Sequence, residues 1–243
     1  MFEAFITAAA FVAGAIASVA GFGIGSVLTP ALSLETGTRL AVAAISIPHF
    51  CGTLVRFWIL RGRLNRDVLL HFGVLSAAGG LTGALLHAWA SNPLLALVFA
   101  TLLIFAGISG ITGYAQRMRF GRSAAWIAGA LSGVLGGLVG NQGGMRSAAL
   151  LGFGLERDAF VATATAIGLI VDAARTPVYF ATAGDQLLKV WTLIALATAG
   201  VVAGTLSGAR LLRDIPERRF HKLVGIIILA LGIFMLFRSV TGR

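Results

Sequence analysis

Apolar residues fill this chain in long runs, and polar residues gather in the short stretches between them. Most of the runs are about 20 residues or longer, the length that a helix needs to cross a hydrocarbon core of about 30 Å. The pattern therefore predicts eight membrane-inserted helical segments. They lie at about Phe5–Leu34, Leu40–Leu60, Val68–Trp89, Leu94–Tyr114, Ala124–Phe153, Phe160–Phe180, Leu188–Ala209 and Leu223–Phe237.

Segments one and five differ from the others because each is about 30 residues long and contains a cluster of glycines near its middle. Glycine costs the interior of a helix about 1 kcal/mol relative to alanine, so several in one stretch favour a break. We expect both segments to break at these clusters. The clusters read Ala20-Gly21-Phe22-Gly23-Ile24-Gly25-Ser26 and Gly136-Gly137-Leu138-Val139-Gly140-Asn141-Gln142-Gly143-Gly144.

The second half of the chain repeats the first at an offset that only grows along the chain. Shared composition would give matches at scattered offsets instead. We predict one membrane domain, 1–243, with repeat 1 at about 1–118 and repeat 2 at about 119–243. The matches include Ala13-Gly14-Ala15 with Ala128-Gly129-Ala130, Arg56 with Arg175, and Gly107-Ile108 with Gly232-Ile233.

Composition supports the membrane assignment. Hydrophobic residues make up 58% of the chain and charged residues 12%, with a mean hydropathy of +0.92, whereas soluble domains carry about 25% charged residues. The net charge of +10 arises mainly from short polar turns, which is typical of cytoplasmic loops under the positive-inside rule. We therefore expect an all-α polytopic protein in a lipid bilayer, with no nucleic-acid partner.

The loop cations indicate how the halves are oriented. If every segment crosses once, the cations divide almost evenly between the two sides. If segment five enters and leaves on the same side, twelve lie inside and only Arg39, Lys189, Arg238 and Arg243 outside. The repeat implies the same for segment one. The prediction is two inverted repeats, each a glycine-broken re-entrant helical hairpin plus three transmembrane helices, with both termini periplasmic.

Irregular backbone at membrane depth is tolerated only where protein buries it or where it lines a watery cavity. The N-terminus of a half-helix favours an anion, and glycine lets the backbone approach a ligand closely. The alternative is tight helix packing through small residues. We expect a shared binding site at the two breaks. Its residues are Gly21, Gly23, Gly25, Ser26, Asn141, Gln142, Gly143 and Gly144.

Few charged residues lie inside the apolar segments, and each has a functional and a structural interpretation. Arg146, Arg175, Arg56 and His49 are candidate contacts for an anionic substrate, and Asp172 is a candidate carrier of a coupling proton. Structurally, Arg146 could tie down the hairpin and Arg56 could reach the membrane interface. Arg175 could pair with Asp172, which lies three residues earlier on the same helix face, and His49 could be an ordinary core histidine.

No catalytic motif emerges from the sequence. We find no HExxH, no GxSxG, no Walker A lysine and no cysteine–histidine ligand spacing. The single Cys51 excludes an intramolecular disulfide. We therefore expect no enzyme activity, no cofactor and no metal site.

The two glycine clusters, with Thr29-Pro30-Ala31-Leu32 after the first and four apolar segments in each half, resemble the TauE/SafE family of sulfite and organosulfonate exporters over nearly the whole chain. The resemblance implies a bacterial inner-membrane transporter of small anions, driven by an ion gradient rather than ATP. It places the family's glycine motifs on Gly21, Gly23 and Gly25, and on Gly140, Gly143 and Gly144. Asn141-Gln142 interrupts the second motif and no proline follows it, so the substrate stays open.

These observations favour a secondary active exporter of a small anion, with sulfite or an organosulfonate as the leading substrate and rocking of the halves as the mechanism. The alternative is an anion or small-solute channel, which would show flux without saturation or coupling. A membrane enzyme would need a second buried carboxylate facing Asp172. The coupling ion, a proton or sodium, and assembly into a homo-oligomer stay open at this point.

Overall fold

The computed structural model describes residues 1–114, 122–141, 143–151, 153–211 and 216–241. These residues form α-helices and a 3-10 turn at Arg61–Arg63, with no strand among them, which confirms the all-α prediction. The helices are α1 Phe2–Ala20, α2 Ile24–Leu60, α3 Arg66–Trp89, α4 Asn92–Thr112, α5 Arg122–Val139, α6 Gly143–Leu151, α7 Arg157–Lys189, α8 Trp191–Leu211 and α9 Glu217–Thr241.

Seven of the described helices are long and apolar enough to cross a membrane: α1 to α4 and α7 to α9. The apolar part of α5, Ala124–Val139, is shorter, and α6 has nine residues. A chain with this many long apolar helices is a polytopic membrane protein. The two helices that are too short for an ordinary crossing are those on either side of the second glycine cluster.

Both glycine clusters break the helix, as the sequence predicts. Helix α1 ends because Gly21 adopts a left-handed conformation with φ 78°, and α2 begins after Gly23, whose φ is 130°. In the second cluster α5 ends before Gly140, whose φ is 73°. These conformations are strained for any residue with a β-carbon, so the glycines fix where the helices stop.

Three helices are longer than the apolar pattern indicates, and one of them is α9, which spans Glu217–Thr241 where the pattern gives Leu223–Phe237. Helix α2 joins the end of predicted segment one to segment two, and only Gly37 (φ 73°, ψ 158°) interrupts its helical backbone. Helix α7 continues past Phe180 to Lys189. The reason is that hydropathy marks the part of a helix embedded in lipid, whereas a helix ends where its backbone hydrogen bonds stop.

Long helices pack in pairs through glycine. Helix α1 lies along α8, α3 along α5, and α4 along α9. Gly83 of α3 rests against the Val134 carbonyl, and Gly204 of α8 against the Phe11 carbonyl, so closely that a β-carbon would clash. Small residues allow such close approach of helix backbones in membranes. Packing is therefore the role of these glycines, which lie outside the two breaks.

The chain turns back on itself at the second break. The ring centroids of Trp126, near the start of α5, and Phe153, after α6, are 5.2 Å apart. Both rings also contact Phe72, near the start of α3. An ion pair between Arg63 and Asp158 joins the 3-10 turn to the start of α7. The segment between Trp126 and Phe153 thus leaves and returns to the same end of α3.

Candidate functional site

The two glycine breaks contact each other inside the protein. Gly25 of α2 lies against the carbonyl oxygen of Gly140, and Gly143 of α6 lies against the side chain of Phe22. In both places a β-carbon would clash with the opposite break. Residues that are about 115 positions apart in the sequence therefore form one central region, and glycine is what allows the backbones to meet there.

The other residues predicted for the breaks lie in or beside this region. Ser26 donates a hydrogen bond of 3.4 Å to the Asn141 side-chain oxygen, which links α2 to the second break. Gly23 packs against Ile16 of α1, and Gly21 has open space over its α-carbon. Gly144 is part of α6, and Gln142 lies outside the described residues.

Positive charge is in excess inside the described part of the protein. The ionised side chains buried there are three arginines, Arg56, Arg146 and Arg175, and one carboxylate, Asp172. With neutral histidines this leaves two uncompensated positive charges. Burying a charge without a partner is costly in a protein interior and more so in a membrane. The positive charge of these arginines must therefore be compensated by carbonyl dipoles of the protein or by a negatively charged ligand.

Asp172 joins α2 to α7. Its Oδ2 accepts a hydrogen bond of 2.6 Å from Nδ1 of His49, and its Oδ1 accepts from Nε and Nη2 of Arg175 at 3.0 and 2.8 Å. The pairing of Asp172 with Arg175, which their spacing predicts, is confirmed. His49 is buried and its Nδ1 is hydrogen-bonded, which also fits the alternative of an ordinary core histidine with a satisfied ring.

Arg175 and Arg56 cap the helices that end at the breaks. Arg175 Nη1 donates to the Gly136 carbonyl at 2.5 Å, and Arg56 Nη1 donates to the Ala17 carbonyl at 2.6 Å; each pair is 39 residues apart. Carbonyls in the last turn of a helix lack intrahelical partners and favour a cation. Arg56 is only 5% exposed, so the interpretation that it reaches the membrane interface is wrong.

Two further residues, which the sequence did not single out, complete the end of α5. The Tyr179 hydroxyl donates to the Gly137 carbonyl, and Nδ1 of His87 lies 2.8 Å from the Leu138 carbonyl. The rings of His87 and Tyr179 are in contact, with centroids 5.1 Å apart. Tyr179 follows Arg175 by four residues and shares its helix face, a signal that could have identified it.

Arg146 differs from Arg56 and Arg175, because it lies at the start of a helix and not beside the end of one. It lies in the first turn of α6, is 2% exposed, and its Nε and Nη1 have no hydrogen-bond partner among the described residues. Its guanidinium packs over Gly168, one helical turn before Asp172, and interacts electrostatically with Asp172 and Arg175. A helix N-terminus carries partial positive charge, so the helix adds to the charge of Arg146 instead of offsetting it.

Neither helix that starts at a break brings an acidic residue to its first turn. Helices α1, α3 and α7 have Glu3, Asp67 and Asp158 in their first turns, whereas α2 and α6 have none, as is also the case for α4, α5 and α8. The N-cap of α2 is Gly23, which has no side chain that could accept a hydrogen bond from the first-turn N–H groups. The free N–H groups of a first turn form a ready anion site. Together with Arg146, the two breaks therefore fit a negatively charged ligand supplied from outside the chain.

Comparison with known proteins agrees with this chemistry. The family model of the sulfite exporter TauE/SafE matches residues 6–235 of the 243. No curated protein and no solved structure matches the chain. The matched range takes in both glycine breaks and all the buried charges, so the resemblance noted in the sequence is confirmed. The chain belongs to the sulfite exporter TauE/SafE family.

Proposed function

We propose that this protein is a secondary active transporter that exports a small anion, sulfite or an organosulfonate, across the bacterial inner membrane. The observation that carries the proposal is Arg146, a buried cation with unpaired donors in the first turn of a helix that starts at a break. An oxyanion there would accept hydrogen bonds from the guanidinium and from backbone N–H groups, and would offset charge that the protein leaves uncompensated.

The described residues predicted to bind the substrate, apart from His49, then divide into two groups. Arg146, Ser26 and Asn141 contact the anion together with the glycine backbone of both breaks. Arg56 and Arg175 act as positioning residues, because their donors already bond the last-turn carbonyls of α1 and α5. Their role is to hold the ends of these two helices in place around the substrate.

Two inverted halves give this site a route to both sides of the membrane. In the two repeats, α1 corresponds to α5, α3 to α8 and α4 to α9. A two-fold relation between the repeats would therefore turn the packed pair α1–α8 into α5–α3 and map the pair α4–α9 onto itself. All three pairs are packed together, which supports this relation. The two arginine caps obey the same exchange. Rocking of one half against the other around the breaks would expose the site alternately, with both termini in the periplasm.

The driving force follows from the charge of the substrate. An inside-negative potential expels an anion with about 2.3 kcal/mol per charge for each 100 mV. We infer that a coupling ion, if used, is a proton carried by the His49–Asp172 pair. Both carboxylate oxygens already accept hydrogen bonds, which suits a proton better than sodium, because sodium needs several free oxygen ligands.

The test is sulfite efflux from proteoliposomes. We expect Arg146→Gln to lower the rate by roughly 10- to 100-fold, the cost of losing charge-assisted hydrogen bonds. Arg66→Gln, which alters an exposed arginine, should leave the rate unchanged. Full efflux by Arg146→Gln would contradict the proposal. Efflux that rises linearly with sulfite concentration, without saturation, would favour the channel alternative.

A further inference from the structure

The hydroxyl of Thr29 is a buried polar group without a use in the fold. Thr29 is the sixth residue of α2 and is 0% exposed. Its Oγ1 has no hydrogen-bond partner among the described residues. A threonine within a helix usually bonds the carbonyl one turn earlier, as Thr36, Thr82 and Thr101 do here. Thr29 does not make this bond.

This hydroxyl faces the second break. A β-carbon placed on Gly140 would lie 3.9 Å from Thr29 Oγ1 and 3.6 Å from Nη1 of Arg175. The nearest atom is Cγ1 of Val42 at 3.5 Å, so the space over the α-carbon of Gly140 is bounded by one apolar side chain, one hydroxyl and one guanidinium. Glycine keeps this space free, since any other residue would fill it with a side chain.

We propose that Thr29 is a further ligand of the transported anion, donating its hydroxyl proton to an anion oxygen beside Gly140. The inference rests on the proposed function and deepens it. Arg146 supplies charge from α6, and Thr29 supplies a neutral donor from α2 on the other break. A ligand that reaches both needs more than one acceptor atom, so the substrate class is an oxyanion with several oxygens, such as sulfite or a sulfonate.

Two other threonines, Thr176 and Thr205, also have a buried hydroxyl without a partner among the described residues, and Thr205 provides the matched control. Thr205 is also buried and its Oγ1 also lacks a partner in the described part of the chain. It faces Gly52, at the packing of α8 against α2, and not the glycines of a break. Thr→Val replaces the hydroxyl by a methyl group of similar size. At both positions it removes an unsatisfied buried polar group, so neither variant should lower the unfolding temperature.

The experiment is titration of sulfite into the purified, detergent-solubilised full chain. We expect Thr29→Val to raise the Kd about tenfold, the effect of one hydrogen bond to a charged group. Thr29→Ser should keep the Kd within about twofold of wild type, since the hydroxyl remains. Thr205→Val should leave it unchanged.

Each outcome separates this inference from the proposed function. If Thr29→Val binds sulfite as tightly as wild type while Arg146→Gln does not bind, Thr29 is not a ligand and the anion site survives. If Thr205→Val weakens binding as much as Thr29→Val, the effect is general and the inference is overturned. If Arg146→Gln binds normally, or if the wild-type chain does not bind sulfite, the proposed function fails and this inference with it.

Discussion

Arg175 donates a hydrogen bond of 2.5 Å from Nη1 to the carbonyl oxygen of Gly136, at the last turn of α5. Arg56 makes the same bond to Ala17 at the last turn of α1. Each of these carbonyls also accepts a backbone hydrogen bond from the glycine that ends its helix. The N–H of Gly140 bonds the Gly136 carbonyl and the N–H of Gly21 bonds the Ala17 carbonyl, both at 3.0 Å. The two breaks are thus closed by the same arrangement of one glycine and one arginine.

The first prediction concerns these caps. Arg175→Lys keeps the charge but cannot bond Asp172 and the Gly136 carbonyl at once, because lysine lacks the planar fork of donors. We expect its free energy of unfolding to fall by about 1–3 kcal/mol, measured by denaturation in detergent. The exposed replacement Arg66→Lys should change stability by less than about 0.5 kcal/mol. Equal stability of Arg175→Lys and wild type would show that the cap is not needed.

The second prediction concerns the buried carboxylate. Asp172→Asn leaves Arg175 without its counter-charge, and breaking a buried pair from one side costs about 3–5 kcal/mol. In Asp172→Asn/Arg175→Gln the unpaired charge is gone. The double variant should therefore be destabilised by clearly less than the sum of the two single variants, in a cycle measured by unfolding. Additive losses would mean that the two residues do not interact.

The third prediction separates coupling from substrate binding. His49→Gln keeps a neutral side chain that can form hydrogen bonds, but it removes the ring that could exchange a proton. We expect sulfite counterflow, in which labelled sulfite exchanges for unlabelled, to continue at nearly the wild-type rate. Efflux driven by a proton gradient should lose its dependence on that gradient. If His49→Gln and wild type respond to the gradient alike, the pair does not carry the coupling proton.

The fourth prediction compares two glycines with similar backbone strain. Gly140 has φ 73° and Gly154 has φ 63°, and neither has a neighbour that an added β-carbon would strike. Alanine at either position should cost about 1–2 kcal/mol of stability, from the left-handed conformation alone. Only Gly140 lies at a break, so only Gly140→Ala should also slow sulfite efflux. Equal efflux by the two variants would place the site elsewhere.

The fifth prediction tests the glycine packing. Alanine at Gly83 would drive its methyl group into the Val134 carbonyl, so α3 and α5 must move apart. We expect a loss of about 1–3 kcal/mol, typical of overpacking. Gly184 is also helical but has nothing within 4 Å of an added β-carbon. Gly184→Ala should be neutral or slightly stabilising, and the two unfolding curves give the comparison directly.

The sequence predicts the parts of this structure that depend on local chemistry. The glycine clusters locate both breaks because left-handed backbone is a property of single residues, as at Gly21 and Gly140. The pairing of Asp172 with Arg175 follows from a spacing of three on one helix. The apolar runs locate α3, α4 and α8 closely, whereas α2, α7 and α9 extend beyond their runs.

Contacts between helices that are far apart in the sequence could not be predicted in this way. His49 bonds Asp172 across 123 positions, and Arg56 bonds the Ala17 carbonyl across 39. Such contacts depend on which helix faces pack together, and in lipid all faces are similarly apolar, so the hydrophobic pattern does not identify them. The sequence therefore offers substrate contact or the membrane interface for Arg56, and it does not indicate the carbonyl partner.

The absence of an acidic residue from the first turns of α2 and α6 has a mechanical consequence. Both first turns carry partial positive charge. Each of them contacts the opposite break, through Gly25 with Gly140 and through Gly143 with Phe22. If the protein transports an anion as proposed, the bound anion would reduce the repulsion between these two partial positive charges and hold the two breaks together. The loaded protein should then be more compact than the empty one.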